Sequence, residues 1–420
     1  MDRDDGAGLN WRPNELGGMA ELILEVRDFE DSARWRWVLT EPDGAFVADH
    51  QVRLDRDGWQ FEAFDDLHAY LRWRVPPDRR VEQEAEIVAE MGEWIGAEVL
   101  GAIGPELVAR APVTVRVMVP ANPVAARRLV FLPLALAHVR GKPIALRDVT
   151  LVVQLGPSGA ARRTTGVGDR LRVLGLFSVP DGGRPLNLRG ERRALVRLFR
   201  ELARVDRQAL DVHVLQYGVT RERLRELLAQ PEGWDIVHIS GHGAPGELLL
   251  EAEDGSPDRI DAAELAELLD ATRERLRLIT VSACWSAGPI IADQRRLLGL
   301  PTTGEISADD DVTEAITGWG QAGGTAVELV DRLGCAVLAM RYPVTDTFAI
   351  RLAEQLYGLL VGGKQSLPQV LAAALTATVT VSPSHACPAL SARRSGTCPQ
   401  AQTREFPQVK TLEIERRAMR

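Results

Sequence analysis

The chain has 420 residues, more than one hydrophobic core usually spans, and this length predicts two domains or one domain with a large attachment. Its formal net charge is -9, with basic and acidic residues mixed through most segments, so nothing indicates a nucleic-acid-binding face. No apolar run reaches the roughly 20 residues of a membrane span and no signal-peptide pattern is visible, so we expect a cytoplasmic protein without a membrane partner.

The beginning of the chain predicts a disordered leader at residues 1–18, followed by an N-terminal α/β domain at residues 19–165. Three strands are predicted at ELILEV, RWRWVL and FVADHQVRL, with a turn at EPDG. Trp35 and Trp37 alternate with arginines in the second strand. Such residues can stack on nucleic-acid bases, but a period of two favours a strand with one buried face.

The remainder of the first domain is predicted to be mixed. Apolar spacing from Glu82 to about Arg110 predicts one long amphipathic helix. Further strands are predicted at VTVRVMV, RRLVFLPLALAHV and VTLVVQL. The glycine-containing loop at residues 156–169 is the predicted linker to the next domain.

A regular α/β pattern then fills residues 166–380. Predicted strands RVLGLFSV, DVHVLQYG, DIVHISG, RLITVSAC and CAVLAMRYPV alternate with helical patterns near 188–205, 219–229, 261–275, 322–333 and 347–361. Nearly continuous apolar strands separated by helices predict a mainly parallel sheet covered by helices on both faces. The insertion GELLLEAEDGSPDRID predicts a small hairpin, and residues 381–420 predict a loose basic tail.

Two of the predicted strands end in residues suited to nucleophilic catalysis. DIVHIS is followed by Gly241, His242 and Gly243, and RLITVSA is followed by Cys284. Carboxyl ends of parallel strands meet at one edge of a sheet, where a histidine and a cysteine can form the thiolate–imidazole pair of a cysteine protease. The glycines allow a tight turn and close approach to a substrate, which makes His242 the candidate base and Cys284 the candidate nucleophile.

The other histidine of this motif, His238, lies on the predicted strand and is expected to point into the fold. It is either a hydrogen-bonded core histidine or a residue that orients the active site. His238 and His242 lack a third ligand, and the four cysteines lack zinc-site spacing, so we predict neither a metal nor another cofactor.

Three motifs occur in order over roughly residues 170–380: DIVHISGHG, ITVSACWSAG and GCAVLAMRYPVTDTFAIRLAEQLYGLLVGGKQ. Together they resemble the CHAT branch of the caspase-like peptidases, a group that is also similar to separase. The resemblance implies a caspase-like α/β fold and an oxyanion hole made by the backbone N–H groups of Gly243 and Cys284. It also implies that the first domain is a caspase-like lobe without catalytic residues.

Substrate preference is implied by two further positions. Ser282 stands two residues before Cys284, where caspases have glutamine and metacaspases aspartate, and it supplies no charge to the first pocket. YPVTD resembles the separase segment whose acid accepts a P1 arginine, which implies Asp346 in the S1 pocket and a preference for Lys or Arg. The alternative role for Asp346 is the N-cap of the following helix.

The segment after the cysteine contains Arg295 and Arg296. These are candidate self-cleavage sites if Asp346 selects basic residues, and ordinary packed helix is the alternative. The predicted function is an intracellular cysteine endopeptidase that cleaves a protein partner in a bacterial defence or cell-death pathway, with a regulatory or sensor protein as a second partner. The alternatives are an inactive caspase-fold scaffold and a nucleotide-binding switch; the latter is disfavoured because no phosphate-binding loop motif is present.

Overall fold

A computed structural model describes residues 20–65, 67–75, 80–118, 129–130, 132–155, 170–180, 186–205, 210–244, 246–283, 324–340, 345–362, 365–380 and 411–416. Several predictions fall outside these ranges. They are the leader at 1–18, the linker at 156–169, the nucleophile Cys284, and the candidate cleavage sites Arg295 and Arg296.

The first part of the chain combines strands with helices. The strands are β1 (Ala20–Asp31), β2 (Arg34–Thr40), β3 (Phe46–Arg53), β4 (Val113–Met118), β5 (His138–Val139), β6 (Lys142–Pro143) and β7 (Val149–Leu155). The helices are α1 (Trp59–Asp65), α2 (Leu67–Arg74), α3 (Arg80–Trp94) and α4 (Ile103–Ala109), with a π-helical segment at Ile95–Leu100 and single 3₁₀ turns at Leu134–Leu136 and Ile144–Leu146.

The second part alternates strands with helices, as the apolar runs predict. Its strands are β8 (Leu171–Ser178), β9 (Leu210–Gln216), β10 (Ile236–Gly241), β11 (Gly243–Ala244), β12 (Glu247–Glu251), β13 (Pro257–Asp261), β14 (Leu278–Ser282), β15 (Ala336–Met340) and β16 (Thr411–Arg416). Its helices are α5 (Leu188–Val205), α6 (Arg221–Leu228), α7 (Ala262–Asp270), α8 (Thr325–Leu333), α9 (Asp346–Gly362) and α10 (Leu367–Thr380).

One large sheet runs through the described residues, with strand order β3-β2-β1-β4-β7-β16-β15-β14-β10-β8-β9. From β1 through β4 to β7, and from β15 through β14, β10 and β8 to β9, neighbouring strands are parallel. β2 and β3 are added antiparallel, and β16 is parallel to β7 but antiparallel to β15. The α/β fold class with a mainly parallel sheet between helices is therefore confirmed.

Both faces of the second half of the sheet are buried, and β10 shows how. Val237 and Ile239 belong to the core cluster that includes residues of α6, α7 and α8. Ile236 belongs to the opposite cluster, which includes residues of α5, α9 and α10. His238 and Ser240 alternate with Val237 and Ile239 along the strand, so they lie on the face of α5 and α9.

The predicted strand RWRWVL is confirmed as β2, with its tryptophans in the core. Trp35 and Trp37 are both 0% exposed, and their rings contact each other edge to face with centroids 6.1 Å apart. Neither ring can stack on a nucleic-acid base, so that reading of the Arg-Trp pattern is wrong.

The single long helix predicted from Glu82 to Arg110 is wrong. The chain is helical there, but α3 passes into the π-helical segment and a break at Gly101 separates this from α4. Gly96 shows the tertiary cause, because a Cβ on it would lie 2.0 Å from the carbonyl oxygen of His138. Gly101 has φ +47°, which favours glycine, and packs against His50.

Two other predictions need correction. RRLVFLPLALAHV is not one strand, because Pro133 precedes a 3₁₀ turn and only the two-residue strand β5 follows. The tail is not loose throughout, because Thr411–Arg416 forms β16 inside the large sheet. Residues 381–410 lie outside the described residues.

Candidate active site

The candidate site lies at the carboxyl ends of β10 and β14, which are adjacent and parallel. Their register pairs His238 with Thr280 and Ser240 with Ser282. His242 follows Ser240 by two residues, just beyond the end of β10, and is half-buried. Neighbouring strands lie about 4.8 Å apart, so this edge brings residues that end the two strands within side-chain reach.

The chain beyond His242 is held by the predicted hairpin insertion, which the structure confirms as β12 and β13 with β11 added. The carbonyl oxygen of His242 accepts a hydrogen bond from the N–H of Leu249 at 3.0 Å. The next pair is Gly243 with Leu248. Because bonded pairs alternate along an antiparallel ladder, the Gly243 N–H is directed away from β12.

Gly241 is required for a reason that the sequence did not reveal. It is not among the glycines with positive φ, so the chain does not need glycine there for a left-handed turn. A Cβ on Gly241 would instead lie 2.9 Å from the carbonyl oxygen of Ser178 on β8. The glycine before His242 therefore permits close approach of two strand backbones.

His238 is a hydrogen-bonded core histidine, 2% exposed, as one of its two predicted roles requires. Its Nε2 lies 3.2 Å from Glu191 Oε1. Its Nδ1 lies 2.7 Å from Thr280 Oγ1 and 3.1 Å from the Tyr357 hydroxyl. Whether His238 also orients the active site stays a prediction.

Asp346 begins helix α9 and is half-buried. Its predicted alternative role as N-cap is wrong, because the hydroxyl of Thr345 accepts the hydrogen bond from the Phe348 N–H at 3.3 Å. The Asp346 carboxylate accepts, through Oδ2, the backbone N–H of Asn187 at 2.6 Å. This bond joins the start of α9 to the start of α5, where the Asn187 side chain accepts the Gly190 N–H.

Ser282 ends β14 in register with Ser240. Its buried hydroxyl oxygen makes no hydrogen bond within the described part of the chain. It lines a cavity of about 20 Å³ whose walls are mostly apolar and include Leu338, Met340 and Ala349. Asp346 is not among the described residues that line this cavity.

Sequence reasoning missed Glu191, Thr280 and Tyr357, the partners of His238. Glu191 is 3% exposed although it stands in the charged run RGERRAL. A signal was present, because Glu191 falls at helical spacing between the buried Leu188 and Leu195, on the apolar stripe of α5. An acidic residue on such a stripe needs a buried partner.

The described residues provide neither a metal-ion cluster nor a membrane-spanning helix. No group of three or more His, Cys, Asp or Glu residues in the described ranges is arranged to hold a metal ion. Among the helices that the structure describes, none combines the length and the apolar character needed to cross a bilayer.

Comparison with known proteins gives a family. The CHAT domain model matches residues 25–307, a range that crosses the domain boundary predicted at residue 165. Among solved structures, the Arg-specific cysteine proteinase gingipain R matches with 12% identity and a TM-score of 0.39, over 77% of this chain and 72% of that one. Pro-sf-caspase-1 matches with 11% identity and a TM-score of 0.32, over 61% of this chain and 94% of that one. No curated protein matches significantly. The chain belongs to the CHAT domain family.

Proposed function

We propose that the chain is an intracellular cysteine endopeptidase in which His242 and Cys284 form the catalytic pair. The observation that carries the proposal is the parallel register of β10 and β14, with Ser240 opposite Ser282. His242 lies two residues after Ser240, and Cys284 lies two residues after Ser282. The histidine and the cysteine therefore follow the ends of two adjacent strands at the same distance along the chain. The CHAT family match supports the same chemistry.

The proposed reaction begins when the Cys284 thiol gives its proton to His242. The thiolate attacks the carbonyl carbon of the scissile peptide bond, and the carbonyl oxygen becomes an oxyanion. Collapse of this intermediate breaks the C–N bond, His242 returns the proton to the leaving amine, and water then hydrolyses the thioester. A free thiol is only a few per cent thiolate near pH 7, so the adjacent imidazole supplies most of the reactive form.

The oxyanion is stabilised in this proposal by the backbone N–H groups of Gly243 and Cys284. The direction of the Gly243 N–H, away from β12, supports its availability to a substrate. Loss of one oxyanion donor typically raises the barrier by about 3–4 kcal/mol. Glycine at position 243 also leaves that N–H unshielded by a side chain.

The proposed preference for Lys or Arg before the scissile bond rests on Asp346. One carboxylate oxygen, Oδ2, is held by the Asn187 N–H, which fixes the orientation of the carboxylate. A carboxylate has about four acceptor sites, so a P1 guanidinium or ammonium can be bound in addition. The family resemblance also assigns the uncharged Ser282 to the first pocket, although the small cavity that Ser282 lines does not include Asp346 among its described lining residues.

The family resemblance supports a protein substrate and a role in bacterial defence or cell death, with a regulatory or sensor protein as partner. Cleavage after basic residues makes Arg295 and Arg296 candidate sites of self-processing. Incubation of the purified chain beside its Cys284→Ala variant tests this, because only the active chain should yield fragments ending at these arginines.

The decisive experiment compares the thiols of one chain. Iodoacetamide should alkylate Cys284 much faster than Cys387 and Cys398, and His242→Ala should abolish the difference. His213→Ala, at a half-buried histidine on β9 in the same sheet, serves as the matched control and should leave it unchanged. Equal alkylation rates at all three cysteines, unaffected by His242→Ala, would overturn the proposed peptidase and favour the inactive scaffold.

The preference for basic residues is tested separately with a peptide library. Asp346→Asn should lower cleavage after Lys and Arg by about 100-fold or more, since a charged contact is lost. Asp270→Asn removes an exposed carboxylate at the end of α7 and serves as the control. An unchanged profile in Asp346→Asn would remove Asp346 from the S1 pocket.

A further inference from the structure

A cluster of five polar side chains lies buried between the sheet and two helices. Its members are Glu191 on α5, His238 and Ser240 on β10, Thr280 on β14 and Tyr357 on α9. None of these side chains is more than 4% exposed. We call this set the buried polar cluster.

The cluster is continuous. Glu191 accepts the Ser240 hydroxyl through Oε2 at 2.5 Å and faces His238 Nε2 through Oε1 at 3.2 Å. On the other side of the imidazole, Nδ1, the Thr280 hydroxyl and the Tyr357 hydroxyl form a triangle with edges of 2.7, 3.1 and 2.6 Å. Burial raises the pKa of the Tyr357 hydroxyl, which keeps it protonated and able to donate.

Burial of polar groups in such a cluster does not by itself stabilise a fold. A buried carboxylate loses its hydration, and well-packed apolar residues in place of a buried ionic group are often neutral or stabilising. What polar groups add is direction, because a hydrogen bond fixes the distance and the angle between its two atoms. The cluster thus ties β10 and β14 to each other and to both covering helices.

The position of the cluster relative to the proposed catalytic pair gives it a function. His238 and Ser240 alternate along β10, and His242 is the next residue in that alternation. Thr280 and Ser282 alternate along β14, and residue 284 is the next position in that alternation. Three members of the cluster, His238, Ser240 and Thr280, therefore occupy three of the four positions in the two register pairs that come before residues 242 and 284.

We propose that Glu191, His238 and Thr280 are positioning residues, which hold the ends of β10 and β14 at the depth and separation that the catalytic pair needs. This inference rests on the proposed peptidase function. None of the three touches substrate; they act through the two strands. The role of His238 as an orienter of the active site, left open by the sequence, follows from it.

The test uses matched substitutions that keep size and change only the bonding. Thr280→Val removes the hydroxyl at constant shape, Thr280→Ser keeps it, and Glu191→Gln keeps the shape without the charge. Iodoacetamide alkylation of Cys284 is measured in the full chain, with Cys335 as internal reference because it is buried in the core, 5% exposed. A purely structural role would loosen the fold and expose Cys335 as well.

We expect Thr280→Val and Glu191→Gln to slow Cys284 alkylation by about tenfold, because a displaced imidazole lets the thiolate fraction of Cys284 fall towards the few per cent of a free thiol. Thr280→Ser should react like wild type, and Cys335 should stay protected in all three. Rates within twofold of wild type, or slowing only when Cys335 becomes reactive, would overturn the inference alone. Failure of the wild-type chain to show His242-dependent alkylation would overturn the peptidase proposal and this inference together.

Discussion

Replacement of Gly241 by alanine is expected to disturb the site through the backbone. The added Cβ would lie 2.9 Å from the carbonyl oxygen of Ser178 and 3.5 Å from its Cβ. An aliphatic carbon normally stays about 3.3–3.6 Å from a carbonyl oxygen, so the ends of β10 and β8 must separate by about 0.5 Å. Neither partner can rotate away, because the Cβ and the carbonyl group are both fixed to the backbone.

Two effects follow from this displacement. Overpacking of a well-ordered interior costs about 1–3 kcal/mol, and we expect a loss of free energy of unfolding in that range. His242 is the next residue, so it moves with the end of β10. A misplacement of about 1 Å can cost about 100-fold in rate, and half of that distance predicts about tenfold slower alkylation of Cys284.

The assay pairs urea unfolding with alkylation of Cys284, and Gly358→Ala is the control. Gly358 lies inside α9, and a Cβ there would make an ordinary contact of 3.6 Å with Leu198. That substitution should stabilise the chain by about 0.5–1 kcal/mol and leave alkylation unchanged. If Gly241→Ala has the same free energy of unfolding and the same rate of Cys284 alkylation as wild type, the close approach of β8 is not what positions His242.

Three further expectations concern the scaffold. Gly96→Ala places a Cβ 2.0 Å from the carbonyl oxygen of His138 and should lower the free energy of unfolding by about 3 kcal/mol; an unchanged urea midpoint would contradict this contact. Asp235→Ala removes a fully buried carboxylate from its arginine partners and should cost about 3–5 kcal/mol in the same assay, whereas a loss below about 1 kcal/mol would argue against a buried ionic role. The hydrogen bond from Arg221 lowers the pKa of Glu264, so this carboxylate stabilises the fold above its unfolded pKa and loses that effect as pH falls through its lower folded value. Glu264→Gln should therefore be less stable than wild type at pH 6 in urea unfolding, and this difference in stability should shrink as the pH falls below the unfolded pKa of Glu264. A difference that stays constant with pH would contradict this expectation.

Most of the fold was predictable because its information is local. The strands β8, β10, β14 and β15 are nearly continuous apolar runs, and their helices carry apolar residues at helical spacing. Both patterns can be read within a window of about ten residues. The alternation of these elements then implies a parallel sheet without further information.

The errors arose where distant residues decide the local structure. The break between α3 and α4 depends on His138 and His50 packing against Gly96 and Gly101, and neither contact is visible within the helical pattern. The six residues of β16 are too few to predict a strand until the place between β7 and β15 is known. That strand covers two edges that would otherwise expose unpaired backbone groups.

The candidate site also contains residues indicated by local sequence and residues that depend on distant contacts. His242, whose catalytic role stays a prediction, was proposed from its neighbouring glycines and from a family motif contained in nine residues. Glu191 was not, because it lies 47 residues before His238 and stands among arginines that predict a solvated helix face. Its place on the apolar stripe of α5 indicates a buried acid, but only the three-dimensional pairing identifies His238 and Ser240 as its partners.

The end of β10 is fixed from three directions, and this suits His242 to its proposed role as catalytic base although it lies just beyond the strand. Gly241 packs against the backbone of β8, the His242 carbonyl is bound by Leu249, and Ser240 is bound by Glu191. Catalytic groups need placement within about 0.5 Å, and side chains on regular elements achieve this better than side chains on loops. These three contacts restrict the position of His242 nearly as well as a regular element would. Loss of any one of these contacts leaves the other two, so a substitution that removes one contact should slow Cys284 alkylation while the chain stays folded.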